Sequence, residues 1–253
     1  MQIISLDGKL EKTFWNHVNQ DPLDYYFFIF DWKFRSDQTK IMMAMEKDKV
    51  EGLMLIYRNF VVQLRGKREA VRLLLSDLGL EKVELQTPID YEDLVHSKYS
   101  PVFREKLILM HMTRGGENIQ ITTVPTVLGV EDADEIAQLI READPAWWGD
   151  MTGEQVRQGM AGALWLGIRQ DQQLASVGMV RLVDFASNIG VIATKKEYRN
   201  RGYATSIVSA LVKEIFKVSP NALIHVVSEN APAVRAYSKV GFKPYKAYVV
   251  IRN

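Results

Sequence analysis

The stretch 190–212 constrains the fold more than any other part of the chain. Residues 190–194 (GVIAT) are apolar and largely β-branched, which is typical of a short buried strand. Beyond them the apolar residues recur every three or four positions, as on one face of a helix: Ala204, Ile207, Val208, Leu211 and Ile215. A buried strand that leads into a helix in this way predicts an α/β fold.

The turn between this strand and helix has the chemistry of an anion site. Gly202 lies at the mouth of the helix, where a glycine lets the backbone turn tightly and approach a ligand closely. The N–H groups of the first helical turn have no partner within the helix, and the helix dipole favours negative charge there. Arg199 and Arg201 add positive charge. On these residues alone, a plain glycine-containing turn with solvated arginines remains the alternative.

Two motifs resemble a known family, the GCN5-related N-acetyltransferases (GNAT). Arg199-x-x-Gly202-x-Ala204, preceded by Glu197-Tyr198, resembles the pyrophosphate motif of that family. A second run of this chain resembles the second cofactor helix of the same family: Asn230-x-x-Ala233-x-x-Ala236-Tyr237-x-x-x-Gly241-Phe242. The motifs stand in the order that the family uses, and the resemblance covers about 120–253. It implies an acyl-CoA N-acyltransferase fold, a mixed α/β sheet, in this half of the chain.

The resemblance also implies the cofactor and its contacts. Acetyl-CoA would lay its pantetheine arm along the strand and its pyrophosphate on the N–H groups of the turn, and no metal would take part. The cofactor-binding residues implied are Ile192, Ala193, Thr194, Arg199, Asn200, Arg201, Gly202, Tyr203, Ala204, Thr205, Asn230 and Tyr237. The activity implied is transfer of an acetyl group to a primary amine by direct attack.

Tyr237 is the predicted catalytic acid. It lies seven residues after Asn230, so it returns to the same helix face, and its ordinary pKa of about 10 keeps it protonated near neutral pH. The alternative is a packed tyrosine whose hydroxyl bonds to backbone. The strand 188–193 holds no carboxylate, so the general base stays open among Asp184, Glu197, His225, Ser228 and Glu229.

The N-terminal half predicts a diverged copy of the same fold. Its order is a strand meander followed by helix, strand, helix and strand, and it includes two predicted strands, one at 25–30 and one at 103–112. The turn Arg65-Gly66-Lys67 stands where the phosphate loop would be, but it is short and lacks the motif. We therefore predict a non-catalytic GNAT-like domain over 1–114, a glycine-containing linker, and a catalytic domain over 119–253 that opens with a strand at 119–124.

Composition narrows the class of protein. The 253 residues include no cysteine, the four histidines show no metal-ligand spacing, and the net charge of +1 argues against a general nucleic-acid binder. No signal-like or membrane-spanning apolar run stands out, so a cytoplasmic protein is expected. Two rival functions stay open: a non-catalytic acyl-CoA-binding regulatory module, and a nucleic-acid or partner-binding protein that uses Lys195, Lys196, Arg199 and Arg201. The amine-bearing acceptor and the oligomeric state are left open.

Overall fold

The computed structural model describes all 253 residues. Contacts divide the chain into two units. Unit 1 comprises Met1–Ile108, Val227–Glu229 and Lys246–Asn253, and unit 2 comprises Leu109–Val226 and Asn230–Tyr245. The predicted division between 114 and 119 is a single break in the sequence, whereas the contacts assign the last eight residues of the chain to the first unit.

Unit 1 is built from the N-terminal elements of the chain. These are β1 (Gln2–Ser5), α1 (Glu11–Val18), α2 (Tyr26–Phe34), β2 (Thr39–Glu46), β3 (Lys49–Tyr57), β4 (Val61–Gly66), α3 (Arg68–Asp77), β5 (Glu84–Pro88), α4 (Glu92–His96) and the first part of β6 (Phe103–Thr113). Strands β1 to β5 are neighbours in sequence order, and β4 and β5 are parallel because α3 connects them.

Unit 2 repeats this order of elements. They are β7 (Thr126–Val127), α5 (Ala133–Ala143), α6 (Pro145–Trp148), α7 (Gly153–Met160), β8 (Leu164–Gln170), β9 (Gln173–Arg181), β10 (Ser187–Thr194), α8 (Tyr203–Val218), β11 (Asn221–Val227), α9 (Ala231–Val240) and the first part of β12 (Lys243–Arg252). Strands β7 to β11 are again neighbours in sequence order, and β10 and β11 form the parallel pair, with α8 between them. The predicted mixed α/β architecture with two similar halves is confirmed.

The last strand completes the sheet of unit 1. Residues 248–252 of β12 pair antiparallel with β5, from Tyr248↔Pro88 to Arg252↔Glu84. Val249 and Ile251 belong to the same apolar core as α3 and β4. The segment Lys246–Asn253 is therefore part of unit 1 although it follows all of unit 2 in sequence.

Two predicted strands are wrong. The aromatic run 25–30 lies mainly in helix α2, where Tyr26, Phe28 and Ile29 are buried. The segment 119–124 forms no strand and runs instead along α8, where Ser209 Oγ accepts from the Gln120 N–H at 3.0 Å and Ser206 Oγ accepts from the Thr122 N–H at 3.1 Å. Side-chain hydroxyls thus satisfy the backbone donors that a neighbouring strand would otherwise have satisfied.

Side-chain caps and a glycine mark several helix ends of unit 2. Thr152 and Gln155 form a reciprocal capping box at the start of α7. Asn230 caps α9, and Gly241 ends that helix in the left-handed region with φ 119°. None of the helices combines the length and the apolar character that crossing a bilayer requires.

Candidate functional site

Strands β10 and β11 separate at their carboxyl ends. Their ladder runs only from Ser187↔Ala222 to Ile189↔Ile224. On its other side β10 stays paired with β9 as far as Thr194, after a register shift between Ile189 and Val191. Residues 191–194 therefore have no strand partner on the β11 side, which leaves a crevice between the two strands. Such an open strand edge can pair with an extended ligand.

The loop that follows β10 ends in an uncapped helix N-terminus. Asn200 and Gly202 both have left-handed backbones, with φ of 63° and 81°, and Gly202 is the N-cap residue of α8. No side chain caps the helix, and the N–H of Ser206 donates to the Gly202 carbonyl oxygen at 2.9 Å. The N–H groups of the three preceding helical residues have no backbone acceptor within the helix, so they can receive an anion.

The two arginines of the loop have different surroundings. The Arg199 guanidinium donates to the carbonyl oxygens of Thr194 and Ala143, each at 3.2 Å, so it ties the loop to the end of β10 and to the end of α5. The Arg201 guanidinium lies over the Tyr198 ring, 5.2 Å from its centroid, and is exposed with no acidic partner. Arg201 is thus the arginine whose donors remain available for a phosphate.

Several predicted cofactor residues can offer only their backbone. The Tyr203 side chain is buried, and its hydroxyl donates to Gln170 Oε1 at 2.5 Å. The Thr194 hydroxyl lies 2.7 Å from Ser176 Oγ, which also donates to the Ala193 carbonyl oxygen at 3.0 Å. These contacts fix the end of β10, and they leave the side chains of Tyr203 and Thr194 engaged within the protein.

Asn230 and Tyr237 lie on helix α9. The Asn230 side-chain oxygen accepts from the Ala233 N–H at 3.2 Å, so it caps the helix, while its side-chain NH2 group is exposed. Tyr237 is only 6% exposed. Burial raises the pKa of the Tyr237 hydroxyl well above its ordinary value.

The structure does not single out a general base among the residues left open by the sequence. Asp184 accepts from the Phe185 N–H at 3.0 Å, and Glu197 and Glu229 are exposed. His225 is half-buried on β11, and the backbone N–H of Ser228 donates to the Lys106 carbonyl oxygen at 2.8 Å. No three His, Cys, Asp or Glu side chains converge in a way that could hold a metal ion.

Sequence reasoning missed two buried polar residues of unit 2. The Asn188 side-chain oxygen and the Trp165 indole nitrogen are both buried, and neither has a hydrogen-bond partner. No local signal could have found them, because both positions read as ordinary strand residues and the missing partners depend on the folded surroundings.

The corresponding crevice of unit 1 is filled by its own side chains. Strands β4 and β5 also lose their pairing after three pairs, from Val61↔Glu84 to Gln63↔Gln86. Arg65 follows at 1% exposure, with its Nε donating to Asp24 Oδ1 at 2.7 Å and its Nη2 donating to Gln86 Oε1 at 2.6 Å. The turn into α3 holds no phosphate loop, since a Cβ on Gly66 would lie 2.3 Å from the Cα of Gly52.

Comparisons with known proteins give the same fold. Residues 165–251 match the family model described as FR47-like protein. A crystal structure of a Drosophila protein aligns at 12% identity over 99% of this chain and 97% of its own, with a TM-score of 0.76. A tandem GNAT protein from the clavulanic acid biosynthesis pathway aligns at 11% identity over 99% and 98%, with a TM-score of 0.61.

A GNAT-family acetyltransferase from Colwellia psychrerythraea is similar over the whole chain as well, with 13% identity over 100% of this chain and 99% of its own and a TM-score of 0.59. No curated protein matches the chain in sequence. The chain therefore has the GNAT fold in a tandem arrangement. The resemblance drawn from the two motifs is confirmed. The residues similar to FR47-like proteins, 165–251, lie within the part of the chain to which that resemblance applies, about 120–253.

Proposed function

We propose that the chain is an N-acetyltransferase that moves an acetyl group from acetyl-CoA to a primary amine. The observation that carries this proposal is the crevice between β10 and β11, whose open backbone edge leads to the uncapped N-terminus of α8. Pantetheine carries amide groups that can pair with a strand edge, and the pyrophosphate is an anion that suits a helix N-terminus. One extended molecule thus matches both features.

The reaction in this proposal is direct. The neutral amine nitrogen attacks the thioester carbonyl carbon, a tetrahedral intermediate forms, and the carbon–sulfur bond breaks as the thiolate leaves. The open edge of β10 supplies backbone N–H groups to the carbonyl oxygen as it gains negative charge. The amine loses one proton to a base that stays unassigned, and the thiolate gains one.

Tyr237 is the proposed donor of the proton to the thiolate. Burial raises the pKa of its hydroxyl and so keeps it protonated. A phenol of this kind serves as an acid and is a poor base. The role requires the sulfur to lie within hydrogen-bond distance of the hydroxyl when acetyl-CoA is bound.

The proposed binding is confined to unit 2. In unit 1 the guanidinium of Arg65 and the side chains that hold it take up the place next to the split of β4 and β5. Only Lys67 lies between the end of β4 and the start of α3, at the position where unit 2 has the loop that precedes α8. We therefore expect one coenzyme A per chain, measured by isothermal titration calorimetry.

The second candidate is an acyl-CoA-binding module without catalysis. The observation that favours it is the absence of any carboxylate on β10, from Ser187 to Thr194. Binding of acetyl-CoA alone is compatible with both candidates, so turnover must separate them.

The test is acetyl-CoA turnover with a panel of primary amines, followed by release of the coenzyme A thiol. Amine-dependent thiol release, with a mass increase of one acetyl group on the amine, supports the transferase. Tight binding of acetyl-CoA with no transfer to small amines, amino acids or peptides supports the module instead. A protein that binds no coenzyme A refutes both.

A further inference from the structure

Residues 119–124 form a strap along α8. The Gln120 N–H donates to Ser209 Oγ at 3.0 Å, and the Thr122 N–H donates to Ser206 Oγ at 3.1 Å. Both serines are buried. As the strap advances by two residues, its partner on α8 moves back by three, so the strap runs toward the N-terminus of that helix.

The strap brings Thr122 to the loop that precedes α8. Gly202 is the N-cap residue of α8, and Ser206, which accepts from the Thr122 N–H, lies one helical turn after it. A Cβ on Gly202 would lie 3.3 Å from Thr122 Oγ1, and no other atom beyond its chain neighbours lies within 4 Å. Thr122 is exposed. Its hydroxyl therefore borders the open side of the helix N-terminus at which the pyrophosphate is proposed to bind.

The hydrogen bonds of Ser206 fix the direction in which the Thr122 hydroxyl can donate. Ser206 Oγ accepts from the N–H groups of Thr122 at 3.1 Å and Thr123 at 3.4 Å. A hydroxyl oxygen has two lone pairs and one hydrogen, so these two donors occupy its lone pairs. Ser206 must then donate its own hydrogen to Thr122 Oγ1, which lies 3.1 Å from Ser206 Oγ. The hydrogen of the Thr122 hydroxyl is thus left for an acceptor outside the protein.

The corresponding turn of unit 1 uses its polar groups differently. The Tyr91 hydroxyl donates to the Gly66 carbonyl oxygen at 3.0 Å. Lys67, the N-cap residue of α3, has its Nζ 2.6 Å from Glu51 Oε2. The hydroxyl and the cation at that turn both have partners within the protein, whereas the hydrogen of the Thr122 hydroxyl has none.

We propose that Thr122 donates a hydrogen bond to the pyrophosphate of coenzyme A, an inference that rests on the proposed function. Phosphate oxygens are hydrogen-bond acceptors, and a hydroxyl that has already accepted a bond from Ser206 is a donor ready to meet one. The N–H groups of the first turn of α8 bind the pyrophosphate from the end of the helix, and Thr122 binds it from the side of Gly202. The strap thereby becomes one wall of the cofactor site.

The test measures the affinity of the full-length protein for coenzyme A by isothermal titration calorimetry. Thr122→Val keeps the shape of the side chain and removes the hydroxyl, so it should raise the Kd about five- to tenfold, the value of one hydrogen bond. Thr122→Ser keeps the donor and should stay within about twofold of the wild type. Because no charge is removed, the fold-change in Thr122→Val should be the same at low and high salt.

Two measurements identify the group that Thr122 contacts. Dephospho-coenzyme A keeps the pyrophosphate and lacks the 3′-phosphate, so Thr122→Val should weaken its binding by the same factor. In phosphorus NMR of the bound coenzyme A, the pyrophosphate resonances should differ between the wild type and Thr122→Val, and the 3′-phosphate resonance should not. A loss of affinity for coenzyme A without a loss for dephospho-coenzyme A overturns the assignment to the pyrophosphate.

Ser209→Ala and Thr123→Val are the controls for a merely structural role of the strap. Ser209→Ala leaves the Gln120 N–H without its acceptor, so it should lower Tm and keep the Kd of coenzyme A. Thr123→Val removes the hydroxyl of the next residue and should keep the Kd as well. Thr122→Val should have a Tm close to that of the wild type, because the Ser206 hydroxyl can donate to a carbonyl oxygen one turn back in α8. A similar rise in Kd in all three variants overturns the inference.

The binding assay separates this inference from the proposed function. It requires no turnover, so it decides the inference for a transferase and for a non-catalytic module alike. Binding by the wild type with an unchanged Kd in Thr122→Val overturns the inference and leaves the proposed function standing. A wild-type protein that binds no coenzyme A overturns both.

Discussion

Substitutions of Gly202 separate the backbone conformation of the loop from the charge of its ligand. The φ of +81° lies in the left-handed region, where a side chain costs about 1–2 kcal/mol. A Cβ would also lie 3.3 Å from Thr122 Oγ1, a distance that the threonine can relieve by a small shift. Gly202→Ala should therefore lower the free energy of unfolding by about 1–2 kcal/mol, or Tm by about 2–8 °C.

Gly202→Glu adds a negative charge where the pyrophosphate is proposed to bind. A carboxylate about 5 Å from a phosphate, at an effective dielectric constant of about 20–80, costs about 1–3 kcal/mol. The Kd of coenzyme A should rise roughly 5- to 150-fold, and the increase should shrink at high salt. Isothermal titration calorimetry at low and high ionic strength measures both effects.

The control for these variants is Gly162→Ala. Gly162 has a similar left-handed backbone, with φ +75°, and no atom lies within 4 Å of the Cβ position. This variant should carry the same backbone cost and keep the coenzyme A affinity of the wild type. A folded Gly202→Glu protein with unchanged affinity at low salt, or a Gly162→Ala protein with weakened affinity, would refute the placement of the pyrophosphate.

Four further changes test other parts of the molecule. Tyr237→Phe should lower the rate of acetyl transfer about a hundredfold or more without weakening acetyl-CoA binding. In the wild type, the raised pKa of Tyr237 should keep the acid protonated up to about pH 10. If the Tyr237→Phe variant transfers acetyl groups at the wild-type rate when the chemical step is rate-limiting, Tyr237 does not have this role. Arg201→Ala should weaken coenzyme A binding severalfold at low salt, because its donors have no acidic partner; an unchanged Kd contradicts this. Arg65→Met should destabilise the protein by about 3 kcal/mol in urea titrations, since it leaves Asp24 buried without its main partner; a loss under 1 kcal/mol, which is about that of an exposed ion pair, contradicts the buried network. Burial opposes ionisation of Asp24, but its cationic and hydroxyl partners outweigh burial and lower its pKa. The stability that Asp24 contributes should therefore be present above about pH 4 and lost below it. The pH dependence of the free energy of unfolding should flatten in Asp24→Asn, and an unchanged slope between pH 5 and 3 would be evidence against this.

The loop and helix ends of unit 2 can be predicted from the sequence because their signals are local. A glycine at the mouth of α8 and another after α9 report left-handed backbone, which few other residues adopt. Asn230 indicates an N-cap, which is also a local signal, since its side-chain oxygen accepts from an N–H three residues away. Such features depend on a few neighbouring residues, so they can be predicted without the rest of the fold.

The failures depend on contacts that are distant in sequence. The run 25–30 has no polar residue to reveal a period of 3.6, so a helix with most of its surface buried could not be told from a buried strand. The segment 119–124 alternates like a strand, but its donors are satisfied by Ser206 and Ser209, more than eighty residues later. The unpaired oxygen of Asn188 is likewise a property of its folded surroundings and not of its neighbours in sequence.

The position of β12 in unit 1 determines when that unit can be completed during synthesis. The Tyr248 hydroxyl donates to Asp24 Oδ1 at 2.6 Å across a sequence separation of 224 residues, so this contact cannot form until nearly the whole chain has left the ribosome. Closing so long a loop also slows folding. Until then one edge of β5 lacks its partner, and an open strand edge is a template for pairing with another chain. Translation that stops before Lys246 should therefore release an aggregation-prone polypeptide even though every residue of unit 2 has been made.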